Sequence, residues 1–272
     1  MAVSTFFHSH PVFRYEEFLH WKTEQGTSNP HAIRKALHYH VKLGHLINVR
    51  RGVYAVVPPN EVPQEISIDP YLLAAKASKD SILAYHTALE LHGVAYSVFE
   101  QFIFLTSQKI KSFYFKNQLF QAASPPSTLK KKDAQKSGIE IINRQGLEIA
   151  ITNLARTFVD VLDRIELGGG WEEVVRSISN MAILNVDAVI NYCLMLNNRI
   201  LAAKVGFFLE QRQGAFAVTD KILQLLLKNR PLKPQSLVLQ QHQKPGKLIK
   251  KWNLILPSYV LNKSWEEPDH DI

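Results

Sequence analysis

The sequence contains one cysteine, Cys193, among 272 residues. A single cysteine cannot form an internal disulfide, and this excludes the small secreted domains that are held together by several such bridges. Cys193 lies in an apolar, helix-like run, so we interpret it as a buried small side chain rather than as a nucleophile. The cysteine content fits a reducing compartment.

Long apolar runs are also lacking, and no segment approaches the roughly 20 apolar residues that a membrane span needs. The first ten residues contain neither Lys nor Arg and no extended apolar stretch, so we expect no signal peptide. We therefore expect a cytoplasmic protein with no membrane partner.

Acidic residues are outnumbered by basic ones, with 24 Asp and Glu against 32 Lys and Arg and a formal net charge of +8. This excess fits an anionic partner, although it does not choose between nucleic acid, an acidic protein and a membrane surface. A hydrophobic content of 46% with 21% charged residues is typical of a globular chain that can bury a core.

The most informative segment is a predicted helix that follows Asn29. At 100° per residue, one side of this helix carries Ile33, Ala36, Leu37, His40, Val41 and Leu43. The opposite side carries Arg34, Lys35, His38 and Lys42. Asn29 suits the N-cap, Pro30 the first helical position, and Gly44 the left-handed position that ends a helix. The pattern predicts an apolar side that packs on a core and a cationic side that faces solvent.

A two-stranded hairpin is predicted over residues 46–57, with Arg50 and Arg51 at its tip and Gly52 in its turn. A basic helix followed by a basic hairpin is typical of winged-helix modules that bind DNA. Residues 1–60 contain seven Lys or Arg and three Glu, so this segment has the net positive charge that attraction to phosphate requires. Residues 13–25 are predicted to form a preceding helix. The alternative is a supporting helix and hairpin whose charges are only solvated.

Pro58, Pro59 and Pro63 end the hairpin and begin a linker. We therefore predict an α+β protein with a winged helix-turn-helix domain over residues 1–60 and a larger mixed α/β domain over residues 61–272. In the larger domain, helices are predicted at 71–78 and 81–91 and repeatedly after residue 153, with extended segments between residues 101 and 152.

Patterns that could support catalysis are incomplete. His86 and Glu90 share one side of a helix, but His92 points about 120° away, so we expect no zinc site. Restriction-type nucleases need a Lys two positions after a metal-binding acid, and Glu140 and Glu148 are followed there by Ile and Ala. We expect no catalytic residue, no metal and no cofactor. A DNA-binding nuclease is the rival enzyme interpretation.

A second basic segment lies between residues 221 and 251, which contain eight Lys or Arg and no acid. A second cationic surface is predicted at its end, formed by Lys244, Lys247, Lys250 and Lys251. It would extend the contact with DNA or meet another anionic partner. The alternative is an ordinary solvated surface.

Several sequence blocks together resemble the AbiEi antitoxins, which are transcription regulators of type IV abortive-infection toxin–antitoxin systems used in phage defence. The blocks are LINVRRGVYAVVPP, YHTALELHG, LARTFVDVLDRIELGGGWEEV and the terminal residues Tyr259 to Asn262, in that order. The resemblance extends over roughly residues 13–180 and the C-terminal segment. Its weight comes from the joint presence and order of the blocks.

The resemblance implies a repressor that binds repeats in its own promoter through an N-terminal winged helix. The C-terminal domain of such proteins supports neutralisation of a co-encoded, nucleotidyltransferase-like toxin, and a stable complex with that toxin is not required. By position, the DNA-facing surface corresponds to Arg34, Lys35, His38, Lys42, Arg50 and Arg51. Among these, we assign base edges to Arg34 and His38, and phosphates to Lys42, Arg50 and Arg51. A regulator whose large domain senses a ligand is the alternative.

Overall fold

A computed structural model describes residues 3–131, 134, 136–237, 246–263 and 265. The described residues combine many helices with several sheets, as expected for the α+β class. The chain divides into two compact units. The first contains residues 1–83, 100–123 and 141–151, and the second contains residues 84–99, 124–140 and 152–272. Residues 1–60 lie entirely within the first unit.

The first unit begins with six short elements. They are α1 (Val3–Ser9), β1 (Val12–Arg14), α2 (Tyr15–Glu24), α3 (Pro30–Lys42), β2 (Leu46–Arg50) and β3 (Val53–Val56). The three strands form an antiparallel sheet in the order β1-β3-β2. The predicted helix over residues 13–25 is wrong at its start, because Val12 to Arg14 pair with β3 as a strand. Helix α1 was not predicted at all.

An aromatic cluster fills the core beneath these elements. Its buried members are Phe6, Phe13, Phe18, Ile33, Leu37 and Leu46. The ring of Phe6 lies 5.1 Å from that of Phe13 and 5.2 Å from that of Phe18, both edge to face. Edge-to-face pairs add about 0.5–1.5 kcal/mol to the effect of burial. Helix α1 is therefore part of the core through Phe6.

The rest of the first unit contains helix α4 (Pro70–Lys76) and most of a six-stranded sheet. The strands are β4 (Ile82–Leu83), β5 (Gln101–Leu105), β6 (Phe113–Phe115), β7 (Gln118–Ala123), β8 (Ile139–Arg144) and β9 (Leu147–Thr152). Their order is β6-β7-β5-β4-β9-β8, so β6 is an edge strand. Strand β7 pairs in parallel with β5 and antiparallel with β6.

The helix predicted over residues 81–91 is shorter than expected. Ile82 and Leu83 form β4, which pairs with β5 and β9. Tyr85 has φ 55°, a left-handed backbone conformation that separates this strand from helix α5 (His86–Leu91). Tertiary pairing therefore overrides the apolar pattern that favoured one continuous helix.

The second unit is mainly helical and also contains α5. Its further helices are α6 (Ser127–Lys131), α7 (Leu154–Asp163), α8 (Trp171–Asn180), α9 (Val186–Leu196), α10 (Arg199–Gln211), α11 (Asp220–Lys228) and α12 (Ser258–Asn262). A 3₁₀ helix spans Ile165–Gly168. A small sheet has the order β10-β12-β11, formed by β10 (Gln235–Ser236), β11 (Gly246–Ile249) and β12 (Leu254–Pro257).

Helix α7 is the most deeply buried element of the second unit, with every residue from Ala155 to Leu162 buried. Two of these residues are charged. The Nε of Arg156 donates to Asp160 at 3.1 Å, and the hydroxyl of Tyr192 donates to the same carboxylate at 2.8 Å. A buried charge that kept no partner would cost several kcal/mol, so these groups satisfy one another in the core.

No helix within the described residues is both long and apolar enough to cross a membrane.

A close contact between α10 and Trp252 gives a stability prediction. A Cβ at Gly206 would lie 2.2 Å from the Trp252 ring, so Gly206→Ala should lower the free energy of unfolding by about 1–3 kcal/mol. Gly214→Ala is the matched control, because nothing lies within 4 Å of a Cβ there. Urea denaturation of both variants measures the difference. Equal midpoints for the two variants would contradict the contact.

Candidate nucleic-acid interface

Helix α3 has the two sides that the sequence predicts. The side chain of Asn29 accepts hydrogen bonds from the N–H groups of His31 at 2.9 Å and Ala32 at 3.4 Å, and Pro30 occupies the first helical position. Gly44 has φ 76° where the helix ends. Both features were predicted, and they fix the length of the helix by local chemistry alone.

The buried side of α3 consists of Ile33 and Leu37, each 1% exposed. The exposed side includes Arg34, Lys35, His38 and Lys42. Leu43 was placed on the apolar side, but its side chain is 48% exposed, because it follows the last helical residue. Within the part of the chain that the structure describes, Arg34, Lys35 and Lys42 form no ion pair. Three full positive charges on this helix are therefore not neutralised by a neighbouring carboxylate.

Strands β2 and β3 form the predicted hairpin. Leu46 pairs with Val56, Ile47 with Ala55, and a bulge lies between Asn48 and Arg50. The turn contains Arg51 and Gly52, and Gly52 has φ 79°. Arg51 is exposed and has no ion pair among the described residues. It therefore presents its guanidinium group to solvent at the tip of the hairpin.

Arg50 is placed differently from Arg51. Its guanidinium carbon lies 4.6 Å from the centre of the Phe113 ring, and the side chain is only partly exposed. Burial, and secondarily the nearby charge of Arg14, lower the pKa of Arg50, which stays far too basic to lose its proton. The side chain stacks on an aromatic ring instead of extending freely into solvent. Arg50 is thus less exposed than Arg51, and the phosphate contact predicted for each of them stays a prediction.

Tyr15 connects the basic side of α3 to the hairpin. The guanidinium carbon of Arg34 lies 5.3 Å from the centre of the Tyr15 ring. The backbone N–H of Tyr15 donates to the carbonyl of Gly52 at 2.8 Å. Arg34 and the turn of the hairpin thus contact the same residue. Sequence reasoning missed Tyr15 and Phe113, because neither aromatic residue lies within the basic segment that both of them orient.

The predicted second cationic surface is only partly described. Lys247 on β11 and Lys250 after it are exposed, whereas Lys251 forms an ion pair with Glu210. Lys244 lies outside the described residues. Of the four lysines, two are thus exposed without an ion pair among the described residues. Lys251 is a structural contact, because Glu210 also accepts a hydrogen bond from the indole of Trp252 at 2.7 Å.

The pair formed by His86 and Glu90 is completed by a third buried side chain, that of Glu173. His86 is 1% exposed, with Nε2 at 3.1 Å from a carboxylate oxygen of Glu173 and Nδ1 at 3.4 Å from one of Glu90. Glu173 also accepts the backbone N–H groups of Tyr96 and Ser97. The Glu173 side chain, itself in contact with His86, therefore holds the turn at Tyr96 and Ser97 in place. No group of three or more His, Cys, Asp or Glu in the described residues is arranged to hold a metal ion.

A groove of about 1090 Å³ lies in the first unit beside the C-terminal end of α3. It is lined by α1, by His40 and His45, and by residues 56–61 and 63. The Nδ1 atoms of His40 and His45 are 3.3 Å apart, so one of them donates and the other accepts. Burial, followed by the charges of His45 and Lys22, lowers the pKa of His40.

Comparisons with known proteins bear on the fold alone. No family model matches the chain, and no curated protein matches it either. A solved structure that does match is the crystal structure of the Rv2827c protein from Mycobacterium tuberculosis, with a TM-score of 0.59 and 15% sequence identity. The match covers 97% of this chain and 94% of that one. The chain is thus similar in fold to that protein along nearly its whole length.

The lowered pKa of His40 gives a prediction about pH. In the unfolded chain His40 is protonated near pH 6.5, whereas in the folded chain it is protonated only at lower pH. The contribution of His40 to the free energy of unfolding is therefore complete above pH 6.5 and is lost as the pH falls below this value. The melting temperature of His40→Gln should therefore decrease less than that of the wild type when the pH is lowered from about 7.5 to 5.5. His31→Gln, a change at an exposed position on the same helix, is the control. Identical pH dependence in wild type and His40→Gln would contradict the assignment.

Proposed function

We propose that this chain is a DNA-binding transcription regulator whose first six elements form a winged helix. The observation that carries the proposal is the combination of topology and charge. Helix, strand, helix, helix and hairpin follow one another, and the sheet order is β1-β3-β2. A winged helix has its elements in this order, so the topology supports the proposal. In that fold the helix before the hairpin enters the major groove, and here this helix would be α3, with the hairpin on the DNA backbone. The cationic, exposed side of α3 supports that orientation.

Arg34 and His38 are assigned to base edges, because they lie one turn apart on the exposed side of α3. Arg can form two hydrogen bonds with guanine through O6 and N7. Arg51 and Lys42 are assigned to phosphates, which fix the position of the protein without reading the sequence. Arg50 is assigned to the orientation of the hairpin, since its guanidinium group stacks on Phe113.

The biological role that we propose is that of an antitoxin and autorepressor of a type IV abortive-infection operon. The support is the resemblance to the AbiEi antitoxins. The blocks that carry this resemblance coincide with whole structural elements: the hairpin β2–β3, helix α5, and helix α7 with the 3₁₀ turn and the start of α8. The partners are operator DNA and, through functional antagonism, a co-encoded nucleotidyltransferase-like toxin.

A ligand-sensing regulator is the second candidate, and the groove beside α3 favours it. A small molecule bound between α1, His45 and the segment after β3 would contact the end of the proposed recognition helix. Ligand sites are commonly apolar clefts of roughly 300–1,000 Å³ with a few polar groups, and the lining of this groove has that character. In this candidate the ligand would bind in the first unit, whereas the alternative drawn from the sequence placed ligand sensing in the large domain.

The assignment of base and phosphate contacts predicts two different mutant phenotypes. Arg34→Ala should weaken binding to the operator by about 1–3 kcal/mol, with little change on random duplex. Arg51→Ala should weaken binding to both DNAs equally and reduce the slope of log affinity against log salt by about 0.9. Gel-shift titrations at several salt concentrations measure both effects. If Arg34→Ala weakens operator and random duplex alike, Arg34 does not read bases.

The antitoxin role predicts that DNA binding and rescue can be separated. The double variant Arg34→Ala, Arg51→Ala should lose repression of a reporter driven by its own promoter, because its operator contacts are removed. The same variant should still restore growth when it is co-expressed with the toxin encoded by the adjacent gene.

Wild-type protein and empty vector provide the controls for that experiment. Failure of the wild type to restore growth, together with intact repression, would refute the antitoxin role and leave a transcription regulator. Failure of the wild type to repress would instead remove the DNA-binding role.

A further inference from the structure

The contact between Arg50 and Phe113 brings two distant segments of the first unit together. The two residues are far apart in sequence, yet the guanidinium carbon lies 4.6 Å from the ring centre. Phe113 begins β6, the edge strand of the six-stranded sheet. The hairpin that carries Arg51 therefore lies next to the edge of this sheet and to the segment that leads into it.

That segment, residues 107–112, is basic. Lys109 and Lys111 are exposed, and neither forms an ion pair within the described ranges. Residues 107–117 contain no Asp or Glu. Lys111 precedes Phe113 by two residues, which corresponds to about 7 Å of extended chain. The backbone of Lys111 is thus close to the residue on whose ring Arg50 lies.

Hydrogen bonds hold both ends of the 107–112 segment. The backbone N–H of Ser107 donates to Asp80 at 2.8 Å. At the other end, the Oγ of Ser112 accepts the N–H of Ala122 at 3.2 Å, and Phe113 pairs with Phe120. The Asp80 carboxylate also accepts hydrogen bonds from Ser78 and Thr106. The lysines are therefore presented from a fixed backbone, which lowers the entropic cost of binding.

Contacts also connect this segment to the proposed recognition helix. Arg34 lies over Tyr15, Tyr15 donates to Gly52 in the turn, and Arg50 at the base of that turn lies over Phe113. Three exposed cations without ion pairs among the described residues lie in the turn or in the 107–112 segment. They are Arg51, Lys109 and Lys111. Each DNA strand carries one phosphate for about every 3.4 Å of helix axis, so neighbouring cations can contact successive phosphates.

We propose that residues 107–112 continue the DNA-contacting surface of the hairpin, with Lys109 and Lys111 contacting phosphates of duplex DNA beside the site read by α3. This inference rests on the proposed DNA-binding function. It adds the loop between β5 and β6 to an interface that was otherwise confined to the first sixty residues. The contacts are to phosphate, so they strengthen binding without selecting a sequence.

The test compares the double variant Lys109→Ala, Lys111→Ala with a matched control, Lys136→Ala, Arg199→Ala, which removes two exposed cations from the second unit, outside the basic segment 221–251. Affinity for a duplex that extends beyond the operator is titrated against salt. Affinity falls when salt is raised from 50 mM to 200 mM. For the double variant, which lacks two phosphate contacts, the factor by which affinity falls should be about 12-fold smaller than for the wild type. The control variant should match the wild type, and random duplex should show the same change as operator.

The outcomes separate this inference from the function on which it rests. If Arg51→Ala flattens the salt dependence and the Lys109, Lys111 double variant does not, the extended surface is refuted and the winged-helix proposal stands. If the control variant flattens the salt dependence equally, the affinity depends only on the total charge of the protein, and the inference fails. If the wild type binds no duplex DNA at all, the proposed function fails and the inference fails with it.

Discussion

The burial of Ile33 and Leu37 against phenylalanines determines which side of α3 faces outward. Both side chains are almost completely buried in a cluster with Phe6, Phe13 and Phe18. Burial of an aliphatic side chain of this size contributes about 1.5–3 kcal/mol, so the two residues together fix the rotation of the helix about its axis. A helix turns by 100° per residue, and this rotation necessarily directs Arg34, Lys35 and His38 to the outside.

The ionisable groups of the second unit are arranged in a different way. The first unit leaves several cations exposed, whereas α7 buries Arg156 beside Asp160, and Tyr192 completes the group. His86 is likewise enclosed by Glu90 and Glu173. Loss of one partner from such a group leaves a desolvated charge, so these residues hold particular elements together. His86, Glu90 and Arg156 thus form contacts that stabilise this unit.

Sequence periodicity was sufficient for α3 and for most helices after residue 153, because their signals are local. The cap at Asn29, the glycine at position 44 and the alternation of apolar residues act over a few residues. Helix α1 and strand β1 were missed, because a run of aromatic residues fits either element until its tertiary partners are known. Strand β4 was taken as helix for the same reason, since its pairing with β5 and β9 involves residues far along the chain.

The candidate site was predictable residue by residue but not in its geometry. The sequence identified Arg34, His38 and Arg51, whose exposure follows from their positions on a helix and in a turn. It gave Arg50 and Arg51 the same role, because neighbours in a turn look equivalent before folding. Only the fold distinguishes them, by bringing the Phe113 ring to one guanidinium group and leaving the other in solvent.

This difference between neighbouring arginines has a physical consequence for recognition. A guanidinium group that stacks on a ring keeps its charge while it loses much of its freedom, so it stiffens the base of the hairpin. The exposed Arg51 then starts from a restricted position, and less entropy is lost when it meets a phosphate. Tyr15 gives a similar constraint to Arg34, whose side chain lies over its ring. Two aromatic side chains outside the basic segment thus pre-orient the cations on which the proposed interface depends.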